Sequence, residues 1–385
     1  MEDYKNLLSI IIPTKNRYEC LIPVILAISK YVYGNDIEVI VQDNSDNNAK
    51  GLTFFNQFND SRIKYFYSSE SLSIQDNTIH AINNSTGKYL IFIGDDDLVF
   101  PDIYTIVQYL CKNNIECLVY NAAYYWWNSV DFKKEDHFHR KNALWIPLNP
   151  SIHMIKRDTE HELQIMLESG SGMFSRLPKF YHGIVTRNIL DKIKEATGTY
   201  LPGSSPDIAF STSLSLVLKE YYYINFPVSV FGASRNSGGG MTARKQHFGK
   251  IEDQKFLPKE TIKNWNNFIP RIWSEKSIYA QTVTEVLKAF KSPKKFNYLS
   301  FYGTMLAYEP YLLRFILPVI KSYCKFNIVY YLMIIIIYFK KRLGILFRKF
   351  RFSTRTYQYD VLVLSDVNLV METLKEYHKE ITIKL

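Results

Sequence analysis

An apolar run that ends in a glycine and three consecutive carboxylates constrains this chain more than any other stretch. Within residues 88–101, KYLIFIGDDDLVFP, Leu90, Ile91, Phe92 and Ile93 precede Gly94, and Asp95, Asp96 and Asp97 follow. The run is too short and too closely punctuated for a helix and reads as a buried strand. Pro101 suits the first turn of a following helix. Three acids therefore stand where a central strand gives way to a loop, and in open α/β sheets ligands bind outside that end of a strand. Side chains at i and i+2 share a side in an extended segment. Asp95 and Asp97 are therefore expected to share one divalent cation, with Asp96 turned away. Hard oxygen ligands suit Mg²⁺ or Mn²⁺. The competing reading is a solvated acidic turn or a helix N-cap.

The preceding residues supply the context for that strand. Residues 8–13, LSIIIP, form a β-branched run stopped by proline, a first central strand. Leu21, Val24, Ile25 and Ile28 then recur at helical spacing. A second strand over 37–42 ends in Asp43 and Asn44, a third covers 63–67, and a helix is expected over 74–84. This is strand–helix–strand alternation, the pattern of a mostly parallel sheet with helices on its faces. The polar clusters at 14–17 and 43–47 would then open onto the same edge as the three acids. No GxGxxG follows the first strand and no GxxxxGK[ST] occurs, which removes most of the case for dinucleotide binding or P-loop chemistry.

The chain of 385 residues allows two domains or one core with appendages. Its net charge of +10 is local: residues 310–359 hold ten Lys/Arg and no Asp or Glu, and the remainder balances. A general nucleic-acid-binding surface is thereby excluded. Cys20, Cys111, Cys117 and Cys324 form no CxxC pair, which fits reduced thiols in a cytosolic compartment. Residues 1–7 are polar and charged, so no secretory signal is expected.

Taken together, SIIIPTKNR (9–17), VIVQDNSD (39–46), Asp76-Asn77 and GKYLIFIGDDD (87–97) resemble the family-2 glycosyltransferases of the GT-A fold. The resemblance covers about the first 130 residues, and three motifs in order carry it. It implies an α/β, GT-A-like catalytic domain over 1–250, with a nucleotide-sugar half at 1–125 and an acceptor half at 126–250. Pro13, Thr14, Asn16 and Arg17 would lie beside the nucleotide, and Asp43 would accept a hydrogen bond from the base, typically uracil in this family. Asp76, Asn77, Asp95 and Asp96 would border the sugar nucleotide, and Asp95 and Asp97 would match the DxD metal motif. The family pattern often has Arg-Asn where this chain has Asp76-Asn77. An inverting, Mn²⁺- or Mg²⁺-dependent transfer from a nucleotide-diphosphate sugar to a glycan or lipid-linked glycan is implied, in bacterial surface-polysaccharide synthesis such as capsule or O-antigen.

Further along, Pro206-Asp207 opens a helix with Leu214, Val217 and Leu218 on its apolar face. Asp207 is by itself a good helix-start residue. Related transferases carry the general base as an acid at such a helix start, often within Glu-Asp; here Pro206 precedes the acid, so Asp207 alone is carried over as the group that takes the acceptor's proton. The run SGGG at 237–240 reads as an ordinary Gly-rich loop or a mobile flap. Arg235, Arg244 and Lys245 are candidate diphosphate contacts, and His247 a candidate metal ligand.

Residues 259–290 have helical spacing. Residues 326–339 form an apolar run of fourteen, short of the roughly 20 needed to span a bilayer as a helix. With its flanking cations, the region 251–359 reads as helical and membrane-associating, an in-plane anchor on the inner face of the cell membrane. A buried core helix, or a partner helix in a homo-oligomer, is the alternative. Residues 360–385 are expected to form a small cap. Two other functions stay open: a catalytically inactive, membrane-associated scaffold of a glycan assembly complex, and a nucleotidyltransferase, although the latter would want a glycine in the loop after the first strand. A haloacid-dehalogenase-type phosphatase would carry its DxD near the N-terminus.

Overall fold

The computed structural model describes residues 4–170, 172–243, 248–254, 256–350 and 359–380. The first third alternates as the sequence predicts: β1 (Asn6–Thr14), α1 (Tyr18–Tyr31), β2 (Ile37–Asp43), α2 (Ala49–Gln57), β3 (Ile63–Tyr67), α3 (Ile74–Asn83) and β4 (Gly87–Phe92). The middle contains β5 (Leu98–Val99), α4 (Ile103–Lys112), β6 (Cys117–Tyr120), β7 (Ala123–Trp126), β8 (Ala143–Pro147), β9 (Ser151–Asp158), α5 (Thr159–Glu168), β10 (Gly183–Thr186), α6 (Arg187–Thr197), α7 (Pro206–Val217), β11 (Glu220–Asn225), β12 (Ser229–Ala233) and α8 (Gly238–Ala243). The last third holds α9 (Lys259–Lys263), α10 (Glu275–Ala289), α11 (Tyr298–Tyr308), α12 (Leu313–Cys324), α13 (Ile328–Phe350), β13 (Tyr359–Val363) and α14 (Val367–Glu380).

Eight strands form one sheet in the order β3-β2-β1-β4-β10-β6-β11-β9. The strands β3, β2, β1 and β4 are mutually parallel, so their C-terminal ends open on one edge. β10 then runs antiparallel to both β4 and β6, and β9 antiparallel to β11. The sheet is thus parallel where the polar clusters sit and mixed beyond. A second sheet, β13-β8-β7-β12-β5, lies beside it. Helices on both faces cover the central strands, and every residue of β2 is buried, as parallel sheets require.

One buried acid stands out in that strand. Glu38 accepts hydrogen bonds from the Ser9 hydroxyl (2.6 Å) and the Thr86 hydroxyl (2.9 Å), and pairs with Lys64. Burial opposes its charge, but these donors outweigh it and its pKa is lowered. The network ties β1, β2 and β3 to the turn before β4.

Two features differ from expectation. The Gly-rich run forms the short helix α8 rather than an open loop. Ser237 caps it, its Oγ accepting from the Gly240 amide at 3.2 Å. The C-terminal residues are not a separate cap. β13 pairs antiparallel with β8, and Val370, Met371 and Leu374 of α14 are fully buried in the core that also contains Val24 and Ile28 of α1. A second core joins Leu163, Leu177 and Ile208 to Ile278, Phe301 and Ile334, so packing is continuous across residue 250.

On the outer surface, α13 packs through Ile334 against α11, where Gly303 lets the two helices approach; a Cβ there would lie 2.6 Å from the Ile337 Cγ2. Its other face is apolar and open: Ile328, Leu332, Ile336 and Phe339 are 67%, 52%, 66% and 59% exposed. α13 is therefore not a buried core helix. Among the described residues no helix is long and apolar enough to cross a membrane.

Candidate active site

The site begins with strand ends. Thr14 closes β1 and Asp43 closes β2, and the two are register partners. Beyond β4, the Asp97 amide donates to the Gly94 carbonyl (3.2 Å), which makes Gly94–Asp97 a tight turn rather than a continuation of the strand. The turn brings Asp95, Asp96 and Asp97 to the same edge, and all three are almost fully buried, at 2%, 4% and 0% exposure.

Arg17 organises two of them. Its guanidinium pairs with Asp95 Oδ1 and with Asp96 Oδ2, each at 2.6 Å, and donates to the Ser234 hydroxyl at 2.6 Å. The Thr14 hydroxyl donates to Asp95 Oδ2 (2.6 Å), and the Ser234 amide to Asp96 Oδ2 (2.9 Å). Burial is the main force raising the pKa of Asp95 and Asp96, with Arg17 opposing it and the neighbouring acids adding to it. Burial likewise works against the charge on Arg17, yet Asp95 and Asp96 prevail and its pKa is raised.

Asp97 is held by four donors. Its Oδ1 accepts from the Gly232 amide (2.7 Å), and its Oδ2 from the Gly94 amide (2.6 Å), the Tyr181 hydroxyl (2.8 Å) and His182 Nε2 (2.8 Å). Burial pushes its pKa up, but His182 and the two amides outweigh it and the pKa is lowered. The carboxylates brought together around a positive charge are thus Asp95 and Asp96, not Asp95 and Asp97. The physical reason is the turn at Gly94, which breaks the i, i+2 alternation. Gly232 is required where it stands: a Cβ on it would come within 1.7 Å of the Asp96 carbonyl oxygen.

Among the described residues no cluster of three or more His, Cys, Asp or Glu is arranged to hold a metal ion. Asp95 and Asp96 nonetheless fit a hard divalent cation in donor type. Buried Asp95 Oδ1 accepts no hydrogen bond and is engaged only by the charge of Arg17. His247, Arg244 and Lys245 lie outside the described residues.

The remaining expected residues divide between site and scaffold. Pro13 sits in β1 opposite Gln42. Asn16 adopts φ 58° and stitches two loops together, its side chain donating to Asp46 (2.8 Å) and accepting from the Asp46 amide (2.9 Å). Asp43 is fully buried; it accepts from the Tyr18 and Tyr65 hydroxyls and from the Ser45 amide (2.7 Å). Asn77 is buried behind the strand ends, its Nδ2 donating to the Thr14 carbonyl (3.3 Å) and the Gln42 carbonyl (3.4 Å), and its Oδ1 makes no hydrogen bond. Asp76 is exposed; its carboxylate accepts from the hydroxyl of Ser73 (2.6 Å), the N-cap of α3, which in turn accepts from the Asp76 amide (3.1 Å). It is not brought to the acids, because a Ser-x-x-Asp pair at a helix start satisfies itself locally.

Across the sheet, Asp207 occupies the first turn of α7, half-buried. Burial raises its pKa, and hydrogen bonds from the Ser205 hydroxyl and the Ile208 amide (2.9 Å) oppose that rise. Tyr181 connects the two halves: it bonds Asp97, and the charges of Asp97, Asp96 and Asp207 all act on it. Tyr181, His182, Gly232 and Ser234 were not expected at the site. The residues in Tyr181-His182-Gly183 stand 84 or more positions from Asp97, in a segment with no periodicity.

Comparison with known proteins gives three findings. Residues 9–176 match the model of the glycosyl transferase family 2. A stretch of 104 residues is 34% identical to the GalNAc(5)-diNAcBac-PP-undecaprenol beta-1,3-glucosyltransferase of Campylobacter jejuni; it is 26% of this chain and spans 33% of that relative's length. The structure is similar to that of S. aureus TarS 1-349 in complex with UDP-GlcNAc, at 13% identity and a TM-score of 0.47 over 83% of this chain and 81% of that one.

Proposed function

We propose that this chain, whose residues 9–176 match the model of glycosyl transferase family 2, moves a sugar from a nucleotide-diphosphate donor, a UDP-sugar, to a glycan or lipid-linked glycan acceptor with inversion at C1. The observation that carries the reading is the gathering of Thr14, Arg17, Asp95 and Asp96 at one strand edge, with Asp207 placed in the first turn of α7. Arg17 supplies fixed positive charge where the donor's phosphates would lie. Asp207 accepts the proton of the acceptor hydroxyl as its oxygen bonds C1 and the C1–O bond to the diphosphate breaks. A pKa raised by burial suits that task, since it makes Asp207 a stronger base than an ordinary carboxylate. With Asp95 and Asp96 as its carboxylate ligands, a bound Mn²⁺ or Mg²⁺ would supply neutralisation of the departing diphosphate's charge.

Titration calorimetry with UDP, GDP and CDP, with and without Mn²⁺, tests the donor side. UDP is expected to bind in a Mn²⁺-dependent manner, and an Asp95→Asn/Asp96→Asn variant is expected to lose that dependence. Failure of every nucleoside diphosphate to bind, with either metal, would sink the reading.

The C. jejuni relative's name places its acceptor on an undecaprenol diphosphate, and the open apolar face of α13, with Lys340, Lys341 and Arg342 in the same helix, would set this chain on an anionic membrane surface. Sedimentation with vesicles containing phosphatidylglycerol is expected to pull down the wild type. The same vesicles should leave an Ile336→Asp/Phe339→Asp variant in solution. Equal pelleting of both would remove α13 from the account.

A further inference from the structure

A cavity of ≈ 280 Å³ lies outside the residues assigned to the donor, at the C-terminal end of β6 and beside the middle of β11 and β12. Tyr120, Tyr223 and Phe231 give it aromatic walls, and Arg157, Arg176 and Lys179 line it. No Asp or Glu is among its lining residues. The three cations are unequally compensated. Arg176 pairs with Glu162 at 2.7 Å. Arg157 lies over the ring of Tyr223, 4.1 Å from its centroid. Lys179 makes no ion pair among the described residues, and the Tyr120 hydroxyl, in a residue only 4% exposed, makes no hydrogen bond of good geometry.

A Lys179 ammonium held in a recess without an ion-pair partner is costly. Burial pushes the Lys179 ammonium pKa down, Asp207 opposes that shift, and Arg157 reinforces it. An oxyanion in the cavity would relieve the cost, with guanidinium groups offering the paired donors that carboxylate and phosphate accept.

The cavity also has a definite position relative to the chemistry. Asp207 acts electrostatically on Lys179. Phe231 stacks on His182 with centroids 3.5 Å apart, and His182 in turn holds Asp97. Through Phe231 and His182 the cavity adjoins the acid turn from the β6–β11 side, whereas Thr14, Asp43 and Arg17 belong to β1, β2 and the start of α1.

We propose that the acceptor is anionic: a phosphate or carboxylate on or next to the receiving sugar is bound by Lys179, Arg157 and Arg176 in this cavity, beside Asp207. The inference rests on the transferase reading, because it is the base role of Asp207 that makes the cavity an acceptor site. The ring walls would face the sugar while the cations hold its charge.

Calorimetry with three probes tests it: methyl glucoside 6-phosphate, methyl glucuronide and neutral methyl glucoside, each with and without saturating UDP. At least one charged probe is expected to bind at least about tenfold more tightly than the neutral one, and which one does so separates phosphate from carboxylate. Lys179→Met and Arg157→Gln should each remove most of that advantage, Lys179→Arg should keep it, and all three should bind UDP within about twofold of wild type. Thermal melting of each variant separates misfolding from lost contacts. Equal affinity for charged and neutral sugars, or no binding of either, overturns the proposal. So does an equal weakening of UDP, which would assign the cations to the donor. Absence of UDP binding by the wild type overturns the transferase reading instead, and the titrations without UDP still decide whether the cavity takes an oxyanion.

Discussion

Replacement of Asp207 by Asn lowers transfer by about 10²–10⁴-fold, the span a positioned general base contributes, while UDP affinity stays unchanged. The isosteric amide keeps the hydrogen bond from Ser205 and the start of α7, so the loss reads on proton transfer rather than on folding. The pH profile gives a second handle. Asp207 must be ionised to act, and burial holds its pKa above the ordinary carboxylate value. Activity therefore rises with pH through that raised pKa. Ser205→Ala removes a hydrogen bond that pulls the pKa down, so the acid limb moves to higher pH. The stability effect has the opposite sign to a salt-bridged acid. A carboxylate raised by folding favours the fold at low pH and loses that contribution as pH rises through its folded pKa. At neutral pH, Asp207→Asn is accordingly neutral or slightly stabilising. Transfer by Asp207→Asn at near wild-type rate would remove Asp207 from the mechanism.

The second large effect concerns Asp97. Asp97→Ala leaves the amides of Gly94 and Gly232, the Tyr181 hydroxyl and His182 Nε2 without their acceptor, His182 fully buried and the other three partly so. An unsatisfied buried donor costs about 1–3 kcal/mol, so the variant loses about 2–4 kcal/mol and its Tm falls by roughly 3–5 °C. The lowered pKa of Asp97 adds a pH signature. Its contribution is present above the unfolded carboxylate pKa and is lost as pH falls through the folded value. The wild-type advantage over Asp97→Ala in melting temperature should therefore shrink in acid. A metal ligand would behave otherwise, with an intact melting temperature and lost Mn²⁺ binding. That outcome would restore the pairing of Asp95 with Asp97 expected from their spacing.

The contrast between Asp96 and Asp97 shows where sequence reasoning stops. The strands β1 to β4 could be read because buried apolar runs stopped by Pro13, Asp43 or Gly94 allow little else. Their parallel order then carries Thr14, Arg17 and the three acids to one edge. The orientation of each acid depends on a four-residue turn, and period-2 reasoning does not survive a turn. Asp43 was expected to face a ligand, but the hydroxyls of Tyr18 and Tyr65, 25 and 22 residues away, fill its acceptor positions. Such contacts follow from packing of α1 on β3 and leave no local pattern. Asp76 is the reverse case, since Ser73 three residues earlier already offered a capping partner. Asp207 was legible as a helix-start acid, while Tyr181 and Lys179, which couple it to the acid turn and to the cationic cavity, come from an irregular segment.

The return of the chain after α13 has a mechanical consequence. α13 is held from below by α11, and residues that follow it in sequence are built into the opposite part of the molecule. β13 forms the edge of the second sheet, and Tyr31 of α1 donates to Glu372 of α14 at 2.8 Å. The apolar surface helix is thus packed along α11 and does not project as a free arm. On a lipid leaflet it would act as a fixed keel, setting the tilt of the catalytic edge and its height above the headgroups. The reach from membrane to Asp207 would then be a constant of the fold, selecting acceptors by how far their reactive hydroxyl stands from the bilayer.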